Sequence, residues 1–168
     1  DHFPTLPELI CDDLTDAARI RTRVLRVRPS VHARFSGLTP LPVLEPIARN
    51  IALRRSRAQN EWILSSNTDC IFAVQDGRSL CEIAGELTGS HYGSPRFEIP
   101  ERIWETFNRR DAASVIAAAD GWGEHARLRE AVRGEGVVQF DAPGDCQLLR
   151  RSDLFSIDGF DEEALLGW

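Results

Sequence analysis

The chain has 168 residues, 42% of them hydrophobic and 27% charged, which is enough apolar material for a core and too much charge for a membrane protein. No apolar run approaches the roughly 20 residues that span a bilayer. A net charge of −6 argues against a general nucleic-acid binder, whose surface must neutralise phosphates, and leaves arginine clusters to serve at most one phosphorylated ligand.

Four cysteines, Cys11, Cys70, Cys81 and Cys146, follow no C-x-x-C spacing and have no histidines at zinc-finger distance. They are expected to be reduced and mostly buried, which points to a cytoplasmic protein. The chain holds no Met and no leader pattern, and its first residues read as the middle of a longer polypeptide.

In residues 4–20, Leu6, Leu9, Ile10, Leu14 and Ala17 fall at helical spacing, so one short amphipathic helix is expected, with Pro7 in its first turn. Residues 21–28, RTRVLRVR, alternate arginine with aliphatics in part and read as a strand near a sheet edge, where the arginines reach solvent. Residues 29–42 carry three prolines, a glycine and two serines, the composition of a loop, expected over the mouth of a pocket.

The next stretch organises the rest. Leu44, Ile47, Ala48, Ile51, Ala52 and Ala58 recur at steps that give a helix one apolar face, and Pro46 suits its first turn. Glu61-Trp62-Ile63-Leu64 does not alternate, which predicts a strand covered on both faces, as in parallel sheets. Asn67-Thr68-Asp69 then stands at the carboxyl end of that strand, where open α/β sheets bind ligands. A lone aspartate there also serves as a turn or cap residue.

Further on, Leu80, Ile83, Ala84 and Leu87 predict a helix after the Gln75-Asp76-Gly77 turn, and residues 90–100 read as extended chain. Three short helices are expected over 101–107, 112–119 and 124–132. Residues 137–140 and 146–149 each read as a strand. Ser152 can cap a brief helix through Ile157 that Gly159 ends, before the acidic turn Asp161-Glu162-Glu163.

Ala48-Arg49-Asn50, Ala58, Glu61-Trp62-Ile63-Leu64 and Asn67-Thr68-Asp69 resemble the A-R-N-x-G … A-x-G-E-W-I-x-x-x-D-x-D stretch of GT-A-fold glycosyltransferases of the family 2 type. Gly144-Asp145-Cys146-Gln147-Leu148-Leu149-Arg150-Arg151, Gly159-Phe160-Asp161-Glu162 and Gly167-Trp168 are similar to that family's acceptor-side strand, G-F-D-E turn and G-W segment. The order and spacing of the two sets agree, which is more specific than either alone.

The resemblance implies an α/β, Rossmann-like GT-A fold over residues 1–168, a single domain with a mainly parallel sheet flanked by helices. The strand at 61–66 would lie near the sheet centre, and residues 101–133 would form a small helical insert. It implies transfer of a sugar from a nucleotide-diphosphate donor to a carbohydrate or other hydroxyl acceptor, with inversion. Arg49, Asn50 and Asn67 would bind the donor, and Asp69 would ligate a divalent cation, Mn²⁺ or Mg²⁺. Asp145 and Trp168 would lie on the acceptor side, and the general base would be a carboxylate beyond Trp168. Departures are Asn67 in place of the first acid, Ile51-Ala52 where a glycine is usual, and Asn60 before Glu61. Asn67 keeps a second expectation open, a GT-A-like binding or scaffold domain without turnover.

Overall fold

The computed structural model describes residues 4–72, 74, 77–94, 98–125 and 146–164. The chain divides into two compact units, Asp1–Ser56 with Phe160–Trp168, and Arg57–Gly159.

The first unit opens with α1 (Leu6–Ile10) and α2 (Asp16–Arg21), where the spacing predicts one helix. The break falls at Asp12, Asp13 and Thr15, whose side chains compete for backbone groups and favour helix starts over helix interiors. Thr15 caps α2 by accepting from the Ala18 amide at 3.2 Å, and Glu8 closes α1 by accepting from the Thr5 hydroxyl at 2.7 Å. Residues 22–28 are extended at both ends, as expected of a strand, but pair with no other strand among the described residues. The expected loop over 29–42 begins instead with α3 (Pro29–His32), because proline at the first helical position costs no hydrogen bond.

The expected helix after Leu44 is α4 (Glu45–Arg54), with Pro46 in its first turn. Of the expected apolar face, Leu44 and Ile47 are buried, Ala48 and Ile51 half-buried, and Ala52 and Ala58 exposed; Asn50 and Leu53 complete the buried stripe. An asparagine replaces an aliphatic residue at the centre of the stripe. It is tolerated there because its amide is fully hydrogen-bonded, as described below.

The second unit holds the sheet. Its strands are β1 (Trp62–Ser66), β2 (His91–Gly93) and β3 (Cys146–Arg150), in the order β1-β3-β2 with both pairings antiparallel. This overturns the expectation of a mainly parallel Rossmann-like GT-A sheet, and it puts β1 at an edge of the described sheet rather than near its centre. The physical reason lies in β1 itself. Its apolar residues fall on both faces, which mimics a strand buried on both sides, yet Leu64 is 40% exposed while its neighbour Ser65 is 8% exposed. Leu64 thus meets solvent while the rest of the strand is buried or half-buried, an exposure that antiparallel sheets allow and wholly parallel ones seldom do. The register sets Trp62 opposite Arg150, Leu64 opposite Leu148 and Ser66 opposite Cys146.

Helices of this unit are α5 (Leu80–Glu86), α6 (Glu101–Trp104), α7 (Ala112–His125) and α8 (Arg151–Ser156). Ser79 and Glu82 form a reciprocal capping box at the start of α5. Backbone and hydroxyl hydrogen bonds from Ser79 hold the Glu82 carboxyl below its ordinary pKa. Asp111 caps α7 by accepting from the amides of Ala113 and Ser114 at 3.1 and 3.2 Å. The expected strand at 137–140 and most of the expected helix at 124–132 lie outside the described residues.

Helix α8 follows β3 without a loop and buries Leu154. It ends where Asp158 and Gly159 take φ values of 62° and 91°, and the Gly159 amide donates to the Leu154 carbonyl at 2.8 Å. No helix among the described residues is long and apolar enough to cross a membrane. The four cysteines are thiols, with Cys11 and Cys81 exposed and Cys70 and Cys146 half-buried, so the described positions do not bury them as expected.

Candidate functional site

The segments that carry the family resemblance meet in pairs, one pair in each unit. In the first, Asn50 joins α4 to the turn at 159–162. It is 1% exposed, and its Nδ2 donates to the Phe160 carbonyl at 2.7 Å and to Glu162 Oε1 at 2.8 Å. The Phe160 amide donates back to Asn50 Oδ1 at 2.8 Å. One side chain thereby satisfies both backbone groups of a residue 110 positions away. Glu162 also accepts from Arg54 Nη1 at 3.2 Å.

Arg49 sits next to this junction. Its guanidinium lies 5.6 Å from the centroid of the Phe160 ring, and its Nε donates to Glu45 Oε1 at 2.9 Å one helical turn back. Only 19% of the side chain is exposed. The cation is therefore held in a fixed place by a ring and a carboxylate. An anionic ligand that reached it would exchange places with Glu45, the more exposed partner at 51%.

In the second unit, the Glu61–Ser66 segment pairs with the Cys146–Arg151 segment. Arg150 lies 5.0 Å over the Trp62 ring, its Nη1 is 3.2 Å from Glu61 Oε1, and its Nη2 donates to the Gly89 carbonyl at 3.3 Å. The Arg151 amide donates to the Glu61 carbonyl at 2.8 Å. Tyr92 closes the cluster with its ring 5.9 Å from Trp62, and its hydroxyl accepts from the Gly89 amide at 2.6 Å. The sequence motifs include Glu61, Trp62 and Arg150, but their contact follows from the β1–β3 register and carries no local sequence signal.

Asn67 follows β1 directly and is exposed, and its backbone carbonyl accepts from the Ser66 hydroxyl at 3.3 Å. Asp69 is exposed in the next turn, with Cys70 Sγ 4.0 Å from its Oδ1. Arg49 and Asn50 belong to the first unit, and Asn67 and Asp69 to the second. Asp145 and Trp168 lie outside the described residues.

A divalent cation, as the resemblance implies, would find one carboxylate and one amide oxygen in Asn67-Thr68-Asp69. No group of three or more His, Cys, Asp or Glu side chains able to hold a metal stands together among the described residues. That donor set is too small for an all-protein cage. It fits an ion such as Mg²⁺, which takes one or two carboxylates and completes its shell with phosphate oxygens and water.

Comparison with family models, with characterised proteins and with solved structures returned no match to this chain.

Proposed function

We propose that the chain is a glycosyltransferase domain that moves a sugar, with inversion, from a nucleotide-diphosphate donor to an acceptor hydroxyl. The observation that supports this reading is the pairing of the motif segments: A-R-N with G-F-D-E through Asn50 and Phe160, and E-W-I-L with C-Q-L-L-R-R through β1 and β3. Chance resemblance in four short stretches gives no reason for them to be joined two by two.

In this reading Asn50 positions and does not touch the donor, because its amide is already engaged. Arg49 meets a donor phosphate by exchanging Glu45 for it. Asp69, with the amide oxygen of Asn67, would hold the divalent cation, and the chemistry it would supply is screening of the negative charge on the leaving diphosphate. Transfer is one in-line displacement. The acceptor oxygen bonds to the anomeric carbon as the bond from that carbon to the diphosphate oxygen breaks, and the hydroxyl proton passes to a carboxylate base. Asp145 and Trp168 are assigned to the acceptor side. Thiols at all four cysteines suit a reducing, cytoplasmic setting.

Asn67 favours a second reading, a domain that binds the donor without turnover, since a neutral ligand holds a cation less tightly than a carboxylate. Calorimetry with UDP and GDP, with Mn²⁺ and then with chelator, tests donor binding. Arg49→Ala should weaken binding about tenfold in both conditions, the loss of one charge-assisted contact. Asp69→Ala should weaken it only when Mn²⁺ is present. Glu45→Gln should strengthen it by releasing Arg49. Affinity unmoved by the first two substitutions would remove the donor site, and metal-dependent binding with no sugar transfer by a polypeptide that also carries the carboxylate expected beyond Trp168 would favour the second reading.

A further inference from the structure

We infer that residues 22–28 are a docking edge for a partner polypeptide strand whose side chains alternate acidic and aliphatic. Three observations carry this. The backbone is extended at both ends, with ψ of 132° at Thr22 and 144° at Arg28. Exposure alternates from Val24 to Arg28: Val24, Arg26 and Arg28 are exposed, while Leu25 and Val27 are half-buried. Among the described residues, the backbone groups of residues 23–27 make no hydrogen bond to other backbone. A strand-like segment with a free row of amides and carbonyls is the template that strand addition uses.

Charge decides the partner. Between Asp16 and Glu45 the chain has six arginines, at 19, 21, 23, 26, 28 and 34, and not one acid, although the whole chain carries −6. Arg19 and Arg23 donate to the carbonyls of Cys11 and Arg55 at 2.6 and 3.3 Å. Arg21, Arg26, Arg28 and Arg34 form no ion pair among the described residues. A second copy of the segment is a poor occupant, because pairing would bring arginine against arginine and like charges opposite one another destabilise a sheet. A phosphate polymer or an anionic membrane neutralises the arginines but offers no row of N–H donors at strand spacing for the carbonyls of 23–27. An acidic strand satisfies both.

The partner's two faces follow. The face over Arg26 and Arg28 takes carboxylates, and the face over Leu25 and Val27 takes aliphatic side chains. At the end of the segment a cleft of about 390 Å³, lined by Val27, Arg28, Pro29, His32, Val43 and Leu44, can receive one apolar side chain of the partner. His32 helps fix its wall, with Nε2 2.8 Å from the Leu41 carbonyl.

The test is fluorescence anisotropy of the intact chain with a labelled peptide of alternating glutamate and valine. A peptide of the same sequence, N-methylated at every second residue to remove the amide donors of one edge, is the control. The unmodified peptide should bind, and the methylated one at least about tenfold more weakly. Val24→Pro, at an exposed position whose amide has no partner among the described residues, keeps every charge and should weaken binding by a similar factor. Arg26→Glu with Arg28→Glu should weaken it about fivefold. Isotope-edited infrared spectra should show the bound peptide as β-strand. Equal binding of the methylated peptide, or full binding to Val24→Pro, would reduce the contact to charge alone and overturn the proposal. So would single-stranded DNA or phosphatidylserine vesicles that displace the peptide while binding Val24→Pro as well as the parent chain.

Discussion

Asn50→Leu is the substitution with the largest calculable effect. It removes three hydrogen bonds, from Nδ2 to the Phe160 carbonyl and Glu162 and from the Phe160 amide to Oδ1, and puts a side chain of similar size in their place. Neutral bonds are worth about 1 kcal/mol each and the one to the carboxylate about 2 kcal/mol. Adding apolar surface on the stripe of Leu44, Ile47 and Leu53 returns about 1 kcal/mol, so the net loss is about 3 kcal/mol. With a urea slope of about 2 kcal/mol/M, the midpoint should fall by about 1.5 M. The second readout is hydrogen exchange at the Phe160 amide, which should lose its protection. Asn50→Asp sharpens the test, because it sets a carboxylate where an amide now donates to Glu162. The new carboxyl's pKa is then raised in the folded state, so stability should be recovered at low pH and lost as pH rises through that value. An Asn50→Leu chain with an unchanged midpoint and a protected Phe160 amide would refute the role given to Asn50.

Gly89→Ala would place a Cβ 2.8 Å from the Tyr92 hydroxyl oxygen and 3.1 Å from Cζ, forcing the ring away from Trp62 at a cost of about 1–2 kcal/mol. Combining it with Tyr92→Phe should cost less than the two changes separately, as a double-mutant cycle by urea unfolding would report. Arg150→Lys keeps the charge and loses the planar fork over Trp62, so it should destabilise the second unit by about 1 kcal/mol and alter tryptophan fluorescence. The Glu82 carboxyl should titrate below the ordinary 4.5 by NMR, and its contribution to α5 should be present above the unfolded value and lost as pH falls through the folded one. Ser79→Ala should return that titration toward the ordinary value.

Local elements were readable where one residue type decides them. Pro46 and the apolar spacing placed α4, the spacing of Leu80, Ile83 and Ala84 placed α5, and the aliphatic run at 146–149 placed β3. Direction and pairing were not readable, because Trp62, Ile63 and Leu64 give the same pattern in a parallel core strand as on an edge strand with one apolar residue in solvent. The face of α4 was legible only in part, through Leu44 and Ile47, for a related reason. Its centre is an asparagine, and a polar residue announces burial only through partners, here Phe160 and Glu162, that are far away in sequence. The sequence motifs named Arg49, Asn50, Asn67 and Asp69; Glu45 lies one helical turn from Arg49, whereas the contact of Arg49 with Phe160 is a tertiary fact.

Paramagnetic mapping with Mn²⁺ tests the donor-site proposal most directly. The ion is titrated in the presence of UDP while the backbone amide signals are followed by NMR. Broadening should centre on residues 67–70, require the nucleotide, and disappear in Asp69→Ala. Broadening centred instead on the acidic turn at 161–163, or none at any Mn²⁺ level with UDP bound, would contradict the assignment of the cation to Asp69.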